Sequence, residues 1–157
     1  MARTSMTLRL TSADQTDRLG EDLAQIAGMG DCILLRGQIG AGKSALARAF
    51  IRKRLGPDTE VPSPTFTLVQ TYFDGDLEIW HADLYRLGDP QEAIELGLTD
   101  AFDTSICLIE WPELLGDLTP KSALDIHLTV TPDAHLAQLS FDATWHDRLA
   151  GLQSHAK

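Results

Sequence analysis

One segment, Gly37-Gln38-Ile39-Gly40-Ala41-Gly42-Lys43-Ser44, constrains the fold of this chain more than any other. It matches the pattern Gly-x-x-x-x-Gly-Lys-[Ser/Thr], in which glycines let main-chain amides approach a polyphosphate closely. Residues 32–35 before it are apolar and predict a buried strand, and residues 44–51 after it predict a helix. Strand, glycine loop and helix in this order predict an anion-binding loop at the N-terminus of a helix.

The loop has predicted roles in binding a nucleotide polyphosphate and Mg²⁺. The loop amides would form an anion-binding nest, Lys43 would reach the β- and γ-phosphates, and the hydroxyl of Ser44 would bind Mg²⁺. The alternative is a glycine-rich turn before an ordinary helix, and the correct flanks on both sides favour the nucleotide site. The predicted nucleotide-binding residues are Gly37, Gln38, Ile39, Gly40, Ala41, Gly42, Lys43, Ser44 and Ala45.

The bulk composition is that of a globular protein, with 43% apolar and 23% charged residues among 157. We expect one domain, residues 1–157, with a single core. We expect a cytoplasmic protein without membrane contact, since no apolar run is long enough to span a bilayer and the N-terminus lacks a signal-peptide apolar region. The net charge of −10 argues against direct binding of RNA or DNA by this chain alone.

Two further groups of residues have predicted structural roles. Cys32 and Cys107 lie in apolar runs and are expected to be small buried hydrophobes, since their spacing fits neither a zinc site nor a disulfide framework. A basic cluster on and after the loop helix favours a solvated face over a docking patch for an acidic partner. This cluster comprises Arg48, Arg52, Lys53 and Arg54.

The strand patterns predict the architecture of the sheet. The apolar runs 32–35 and 105–109 are typical of strands covered on both faces, whereas 124–130 and 136–141 alternate and favour one wet face. Further strands are predicted at 7–10, 67–72 and 77–82, and helices at Ser12 to Gly28, 44–55, 89–97 and 144–154. We therefore expect an α/β fold, a P-loop NTPase-like three-layer sandwich. Its mixed sheet is parallel around the phosphate loop and antiparallel toward the ends, with helices on both faces.

A phosphate loop needs an acidic partner for Mg²⁺ or its water shell, usually at the end of a neighbouring strand. Glu110 and Asp83 both end predicted strands and are the candidate catalytic acids, with Glu110 also a candidate metal ligand beside Ser44. Thr65, in a loop with two prolines at 61–66, is a candidate sensor of the γ-phosphate or part of a rigid connector. His81 is expected to be structural.

Four motifs in this order resemble the TsaE family, also known as the YjeE family, over roughly residues 10–130. They are the phosphate loop at 37–44, Ser63-Pro64-Thr65-Phe66-Thr67-Leu68-Val69, His81-Ala82-Asp83-Leu84-Tyr85-Arg86-Leu87 and Leu108-Ile109-Glu110-Trp111-Pro112. The resemblance implies a bacterial ATPase domain of tRNA threonylcarbamoyladenosine biosynthesis. It implies that the protein acts through ATP hydrolysis on a complex of TsaB and TsaD and meets tRNA only through that complex.

The resemblance also implies roles for individual residues. Ser63 to Phe66 corresponds to the first switch, Asp83 to the second acidic position and Glu110 to the Mg²⁺-associated acid. The chain departs from the family where Gln38 stands in place of Asp and Ser44 in place of Thr. In the last hairpin, Ala134-His135 stands where the family often has Gly-Arg.

Alternative functions are a small-molecule kinase, a GTPase or a nucleotide-binding scaffold without turnover. A kinase usually needs an arginine-rich lid, and no second arginine cluster follows the loop. The guanine-reading pattern Asn-Lys-x-Asp is absent, which favours adenine. Arg86 is the nearest candidate for an arginine finger, although a surface ion pair is the expected role. Trp111 is expected to fill the core.

Overall fold

A computed structural model describes residues 3–155, with side chains described as far as Gly151. The strands are β1 (Thr4–Leu10), β2 (Cys32–Gly37), β3 (Val69–Asp74), β4 (Leu77–Asp83), β5 (Ile106–Glu110), β6 (Leu124–Val130) and β7 (His135–Phe141). The helices are α1 (Ala13–Ile26), α2 (Lys43–Leu55), α3 (Pro90–Glu95), α4 (Leu98–Thr104) and α5 (Ala143–His155), and a 3₁₀ segment spans Pro112–Leu118.

The seven strands form one mixed sheet in the order β1-β7-β6-β2-β5-β4-β3. The four central strands, β6, β2, β5 and β4, run parallel, and the β1-β7, β7-β6 and β4-β3 pairs are antiparallel. This arrangement confirms the predicted mixed sheet with a parallel centre. Because β2 lies in the middle, the loop that follows it opens at the carboxyl edge of the parallel strands.

Helices cover both faces of the sheet, as the apolar central strands predict. Ile33 and Leu35 of β2 belong to one apolar cluster, which also contains side chains of α1, α2 and α5 such as Phe50 and Trp145. The alternate residue Leu34 belongs to a second cluster with side chains of α3, α4 and the 3₁₀ segment. Strand β2 is therefore buried on both faces, and its carboxyl end is held rigidly.

The predicted helix starts agree with the observed caps. The side chain of Ser12 accepts a hydrogen bond from the amide of Gln15 at the start of α1. Asp89 caps α3, with Pro90 in its first turn. Gly56, with a positive φ of 127°, follows the last residue of α2.

Three predicted boundaries are wrong. The predicted helix 89–97 stops at Glu95, and an unpredicted helix, α4, begins after Gly97, whose φ is 91°. The predicted strand 67–72 begins only at Val69, because the Leu68 amide donates to the Pro64 carbonyl at 2.7 Å and closes a turn. Strand β1 begins three residues earlier than predicted, at Thr4.

The two cysteines are buried hydrophobes, as predicted. They are 2% and 0% exposed, and Cys32 faces Cys107 in the parallel β2-β5 register. Burial raises the pKa of Cys107 to about 12, so its thiol stays protonated.

The basic cluster on α2 is not uniformly solvated, and the prediction is wrong for Arg54. Its Nε donates to Asp74 at 2.9 Å, and its Nη1 donates to the carbonyls of Ala24 and Ala27. Arg54 therefore ties α2 to the end of α1 and to the β3-β4 hairpin, whereas Arg52 and Lys53 are exposed. Among residues 3–155, no helix has the length and apolar character needed to cross a membrane.

Candidate nucleotide-binding site

The glycine loop between β2 and α2 has a backbone that only glycine adopts easily. Gly37, Gly40 and Gly42 have φ values of 141°, 87° and 110°. A Cβ on Gly37 would lie 2.4 Å from the carbonyl oxygen of Leu128 on β6. The loop therefore packs main chain against main chain where it leaves the sheet.

The first turn of α2 presents unpaired amides to the loop. Within residues 3–155, the N–H groups of Lys43, Ser44 and Ala45 have no protein acceptor, whereas Leu46 donates to the carbonyl of Gly42. The first amides of a helix lack intrahelical partners and carry its positive dipole end. Free amides of this kind favour an anion, which is the ligand that the sequence predicts for this loop.

Lys43 is a buried cation among neutral partners. It is 5% exposed, and its Nζ donates to the carbonyls of Gly37 at 2.6 Å and Gln38 at 2.9 Å. The same Nζ lies 4.5 Å from the ring centroid of Trp111. It forms no ion pair within the described side chains, so its charge is available for a phosphate.

Burial lowers the pKa of Lys43 from its ordinary value of 10.5. The carboxylates of Glu110, Asp83 and Glu113 act in the opposite direction, since negative charge favours the ammonium. An anion bound at the loop would add to that favourable field.

A chain of hydrogen bonds links the loop to β5 and β4. The hydroxyl of Ser44 donates to Oε1 of Glu110 at 3.0 Å, and Nε2 of His81 lies 2.6 Å from Oε2 of the same carboxylate. Glu110 and His81 are 2% and 1% exposed. Two predicted metal-site residues, Ser44 and Glu110, are thus in direct contact.

The second candidate acid holds the double-proline loop. Asp83 aligns with Glu110 in the parallel β4-β5 register. Its Oδ2 accepts from the Thr65 hydroxyl at 3.3 Å, and its Oδ1 accepts from the Tyr85 amide at 3.0 Å. The Thr65 hydroxyl also lies 2.7 Å from that of Ser63, so a hydroxyl pair faces this carboxylate.

These side chains line one cleft of about 530 Å³. Of the predicted site residues, it is lined by Ile39, Gly40, Gly42, Lys43, Ser44, Ala45, Thr65, Asp83 and Glu110. The other three predicted loop residues are not among the described lining residues of the cleft. Ala41 is buried, Gly37 packs on β6, and the Gln38 carbonyl accepts from Lys43.

Sequence reasoning missed three lining residues, Arg48, Tyr85 and Trp111. Arg48 follows Ser44 by four positions, and this helical spacing is a signal that places it on the same side of α2. The expectation that Trp111 fills the core is wrong, because its half-buried side chain lines the cleft and its ring lies 4.9 Å from that of Tyr85. The expected ion pair of Arg86 is wrong among the described side chains, because its guanidinium lies 5.2 Å from the Phe66 ring.

A second cleft, of about 380 Å³, opens beside the loop between α1 and the β6-β7 hairpin. Its lining includes Ser12, Thr16 and His135. A Cβ on Gly42 would lie 3.4 Å from Thr16 Cγ2 and 4.0 Å from His135 Nδ1. The loop therefore has cavities on two sides, one lined by charged residues of both signs and one lined mostly by neutral residues together with Asp133.

The donor set suits a metal ion that brings most of its own ligands. Among the described residues, no group of three or more His, Cys, Asp and Glu side chains could hold a metal ion. Mg²⁺ is usually held by one or two protein ligands together with substrate phosphates and water. Ser44 and Glu110, beside an anion loop, fit that requirement.

Comparison with known proteins gives the same family from sequence and a matching fold from structure. The sequence model of one family, threonylcarbamoyl adenosine biosynthesis protein TsaE, matches residues 10–137. A crystal structure of Bacillus subtilis YdiB shares the fold, with a TM-score of 0.81, 24% identity and coverage of 100% of this chain and 99% of that one.

Three curated relatives are each described as tRNA threonylcarbamoyladenosine biosynthesis protein TsaE. The Rickettsia felis protein is 39% identical over 123 residues, covering 78% of this chain and 72% of its own length. The Bacillus subtilis protein is 36% identical over 119 residues, covering 75% and 73%. The Haemophilus influenzae protein is 40% identical over 108 residues, covering 68% of each. The chain therefore belongs to the TsaE family.

Proposed function

We propose that this protein binds and hydrolyses ATP with Mg²⁺, and that this hydrolysis acts on a TsaB–TsaD complex during tRNA threonylcarbamoyladenosine modification. Family membership supports the pathway. One observation carries the ATPase proposal: the buried, unpaired cation of Lys43 lies beside free amides and the Ser44–Glu110 contact. We further propose that residues 1–157 form one cytoplasmic, P-loop NTPase-like domain. The continuous seven-stranded sheet supports a single domain.

Different groups of the loop are proposed to bind the triphosphate and to shape the backbone around it. The amides of residues 43–45 and the ammonium of Lys43 bind the phosphate oxygens, and the remaining loop residues, 37–42, shape the backbone around them. Ser44 and Glu110 would hold Mg²⁺. When bound, the ion would supply positive charge that offsets the negative charge of the phosphates during phosphoryl transfer.

The double-proline loop and Asp83 form the second part of the catalytic proposal. Thr65 already contacts Asp83 through a 3.3 Å hydrogen bond, so a phosphate that recruits Thr65 must compete with this carboxylate. We assign Thr65 to sensing of the γ-phosphate and Asp83 to the water shell of the metal or the attacking water. Glu110 is the principal catalytic acid because it already contacts Ser44.

The second cleft is the proposed position of the nucleoside. It lies beside Gly42 and is lined mostly by neutral residues, including Thr16 and His135, with Asp133 as the one carboxylate among the described lining residues. The missing guanine-reading pattern supports adenine there. His135, which lines this cleft, stands where the family often has arginine.

Exposed apolar side chains support a partner beside the cleft. Ile39 and Phe66 are 80% and 82% exposed, and Tyr85 is 56% exposed. Ile39 and Tyr85 line the cleft mouth, and Phe66 directly follows Thr65. A TsaB–TsaD complex that covers these side chains would reach the switch residue, while the net charge of −10 disfavours direct contact with tRNA.

The test is multiple-turnover modification with purified TsaB, TsaD and tRNA. We expect modification to continue past one cycle with ATP and to stop after one cycle with a non-hydrolysable analogue. A protein that supports repeated cycles equally with both nucleotides would be a nucleotide-binding scaffold. Product analysis showing phosphate transferred to a small acceptor would instead indicate a kinase, although Arg48 is the one arginine among the described lining residues of the cleft.

A further inference from the structure

A buried histidine lies behind the candidate metal-site glutamate. His81 on β4 is 1% exposed, and its Nε2 lies 2.6 Å from Oε2 of Glu110 on β5. The other oxygen, Oε1, accepts from the Ser44 hydroxyl at 3.0 Å. Each oxygen of this carboxylate thus has its own partner, one toward the phosphate loop and one toward the core.

The contacts of the two ring nitrogens favour one tautomer of His81. Nδ1 is buried and has no hydrogen-bond partner among the described residues. A carboxylate only accepts, so Nε2 carries the hydrogen in this 2.6 Å contact. A second hydrogen on Nδ1 would be a buried donor without an acceptor, which is unfavourable. The geometry therefore fits the tautomer with one hydrogen, on Nε2, donated to Glu110.

The sheet fixes this pair before any ligand binds. In the parallel register, His81 aligns with Leu108 and Asp83 aligns with Glu110, so His81 and Glu110 lie on the same face of adjacent strands. Both β4 and β5 are buried in this region. Among described residues, Ser44 and His81 are the side chains that hydrogen-bond to Glu110, and His81 alone approaches from within the core.

We propose that His81 is a positioning residue for the Mg²⁺ site. By donating from Nε2 to Oε2, it fixes the rotamer of Glu110 and keeps Oε1 directed at Ser44. The inference rests on the proposed ATPase function and adds to it a residue that touches neither nucleotide nor metal. Hydrogen-bonded partners orient metal ligands, and their loss typically costs about 10–100-fold in metal affinity or activity.

The experiment measures ATP affinity by calorimetry with and without Mg²⁺ in folded, full-length variants. H81Q places an amide N–H near the position of Nε2, H81N places one near Nδ1, and H81M fills similar space without a donor. I79V, on the same strand and face, is the control for altered packing. The quantity compared is the ratio of the two dissociation constants, which isolates the contribution of the metal.

We expect wild type, I79V and H81Q to show similar ratios. H81M and H81N should lose roughly tenfold or more of the Mg²⁺-dependent gain while binding metal-free ATP as wild type does. If H81M does not fold, the comparison of H81N with H81Q decides the question. The same ratio in both variants, or a wild-type ratio in H81M, would overturn the positioning role.

The result also separates this inference from the proposed function. A wild-type protein that binds ATP with a clear gain from Mg²⁺, beside an unaffected H81M or H81N variant, refutes only the role of His81. A wild-type protein that binds no ATP at all refutes the nucleotide site itself, and the role of His81 with it.

Discussion

Replacing Lys43 with methionine is expected to stabilise the nucleotide-free protein and to abolish its response to ATP. The ammonium is 5% exposed and forms no ion pair among the described side chains. Its hydrogen bonds go to two main-chain carbonyls, those of Gly37 and Gln38. A buried charge held only by neutral groups is suited to a ligand rather than to the stability of the empty site.

Two opposing effects set the size of the change. Burying a charge without an ionic partner is costly, so an apolar side chain of similar volume at this position favours the empty folded state. The lost hydrogen bonds and the lost attraction to the carboxylates of Glu110, Asp83 and Glu113 oppose this gain, but Gln38 is exposed, so water can reach its carbonyl once the side chain is gone. We expect a net gain of about 1 kcal/mol, or a Tm rise of about 2–4 °C for a domain of this size.

With Mg²⁺ and ATP, the wild type should become more stable than K43M. A ligand at 100 times its Kd stabilises the native state by about 2.7 kcal/mol. The wild type should show this gain with Mg²⁺ and ATP, and K43M should not. The wild type would then be the more stable protein by roughly 2 kcal/mol.

The stability difference between the wild type and K43M should change with pH in a definite direction. Because burial lowers the pKa of Lys43 from 10.5, the unfolded chain binds more protons than the native chain between the folded pKa and 10.5. The free energy of unfolding of the wild type therefore rises, relative to K43M, as pH increases through that window. The advantage of K43M should be greatest at neutral pH and should shrink in alkaline buffer.

Urea and thermal unfolding of both proteins, with and without Mg²⁺ and ATP, would measure these differences. K53M is the matched control, because Lys53 is an exposed lysine on the same helix. It should change neither the stability nor the response to ATP. A K43M protein destabilised by more than about 1 kcal/mol without nucleotide would show that Lys43 braces the empty loop. A normal ATP response in K43M would remove this side chain from the phosphate site.

Three further predictions concern single positions. Glu110→Gln should keep the metal-free ATP affinity, lose at least the roughly tenfold Mg²⁺-dependent gain expected to be lost in H81M, and slow hydrolysis by about 100-fold or more in a phosphate-release assay; a near-wild-type rate would make Asp83 the principal acid. Thr65→Ala should mainly reduce the hydrolysis stimulated by TsaB and TsaD, and unchanged basal and stimulated rates would leave its loop a connector. Gly37→Ala should destabilise by more than about 2 kcal/mol in urea, because its Cβ would meet a β6 carbonyl at 2.4 Å, whereas Gly40→Ala meets no atom within 4 Å and should cost about 1–2 kcal/mol. Equal losses in the two glycine variants would contradict the steric argument.

Local signals explain why the centre of the fold could be predicted. The phosphate loop has an apolar strand before it and a helix-forming run after it, and both signals lie within a few residues of the loop. The uninterrupted apolar run 106–109 likewise predicted a strand covered on both faces. The position of β6 between β2 and β7 has no such signal, because strand order depends on contacts between distant parts of the chain.

The same distinction applies to the candidate site. The loop residues and both acids could be predicted because each follows a recognisable strand. The contact of His81 with Glu110 could not be predicted, because the two residues are 29 positions apart in sequence and their contact depends on the register of β4 and β5. Its weak signal is the two-residue spacing from Asp83, which places both side chains on one face of β4.

Backbone strain marks two points beside the acids, one just before the chain enters β3 and one just after it leaves β5. Leu68 and Trp111 are the non-glycine residues with positive φ in the described chain, at 70° and 56°. The Leu68 carbonyl accepts from the Asp83 amide at 2.9 Å, and Trp111 directly follows Glu110, with its ring over Lys43. Such conformations cost about 1–2 kcal/mol for an ordinary L-residue. They persist only where surrounding contacts hold them, and here those contacts are made by the candidate site itself. The strain therefore belongs to the arrangement that directs both carboxylates and the cation toward one cleft.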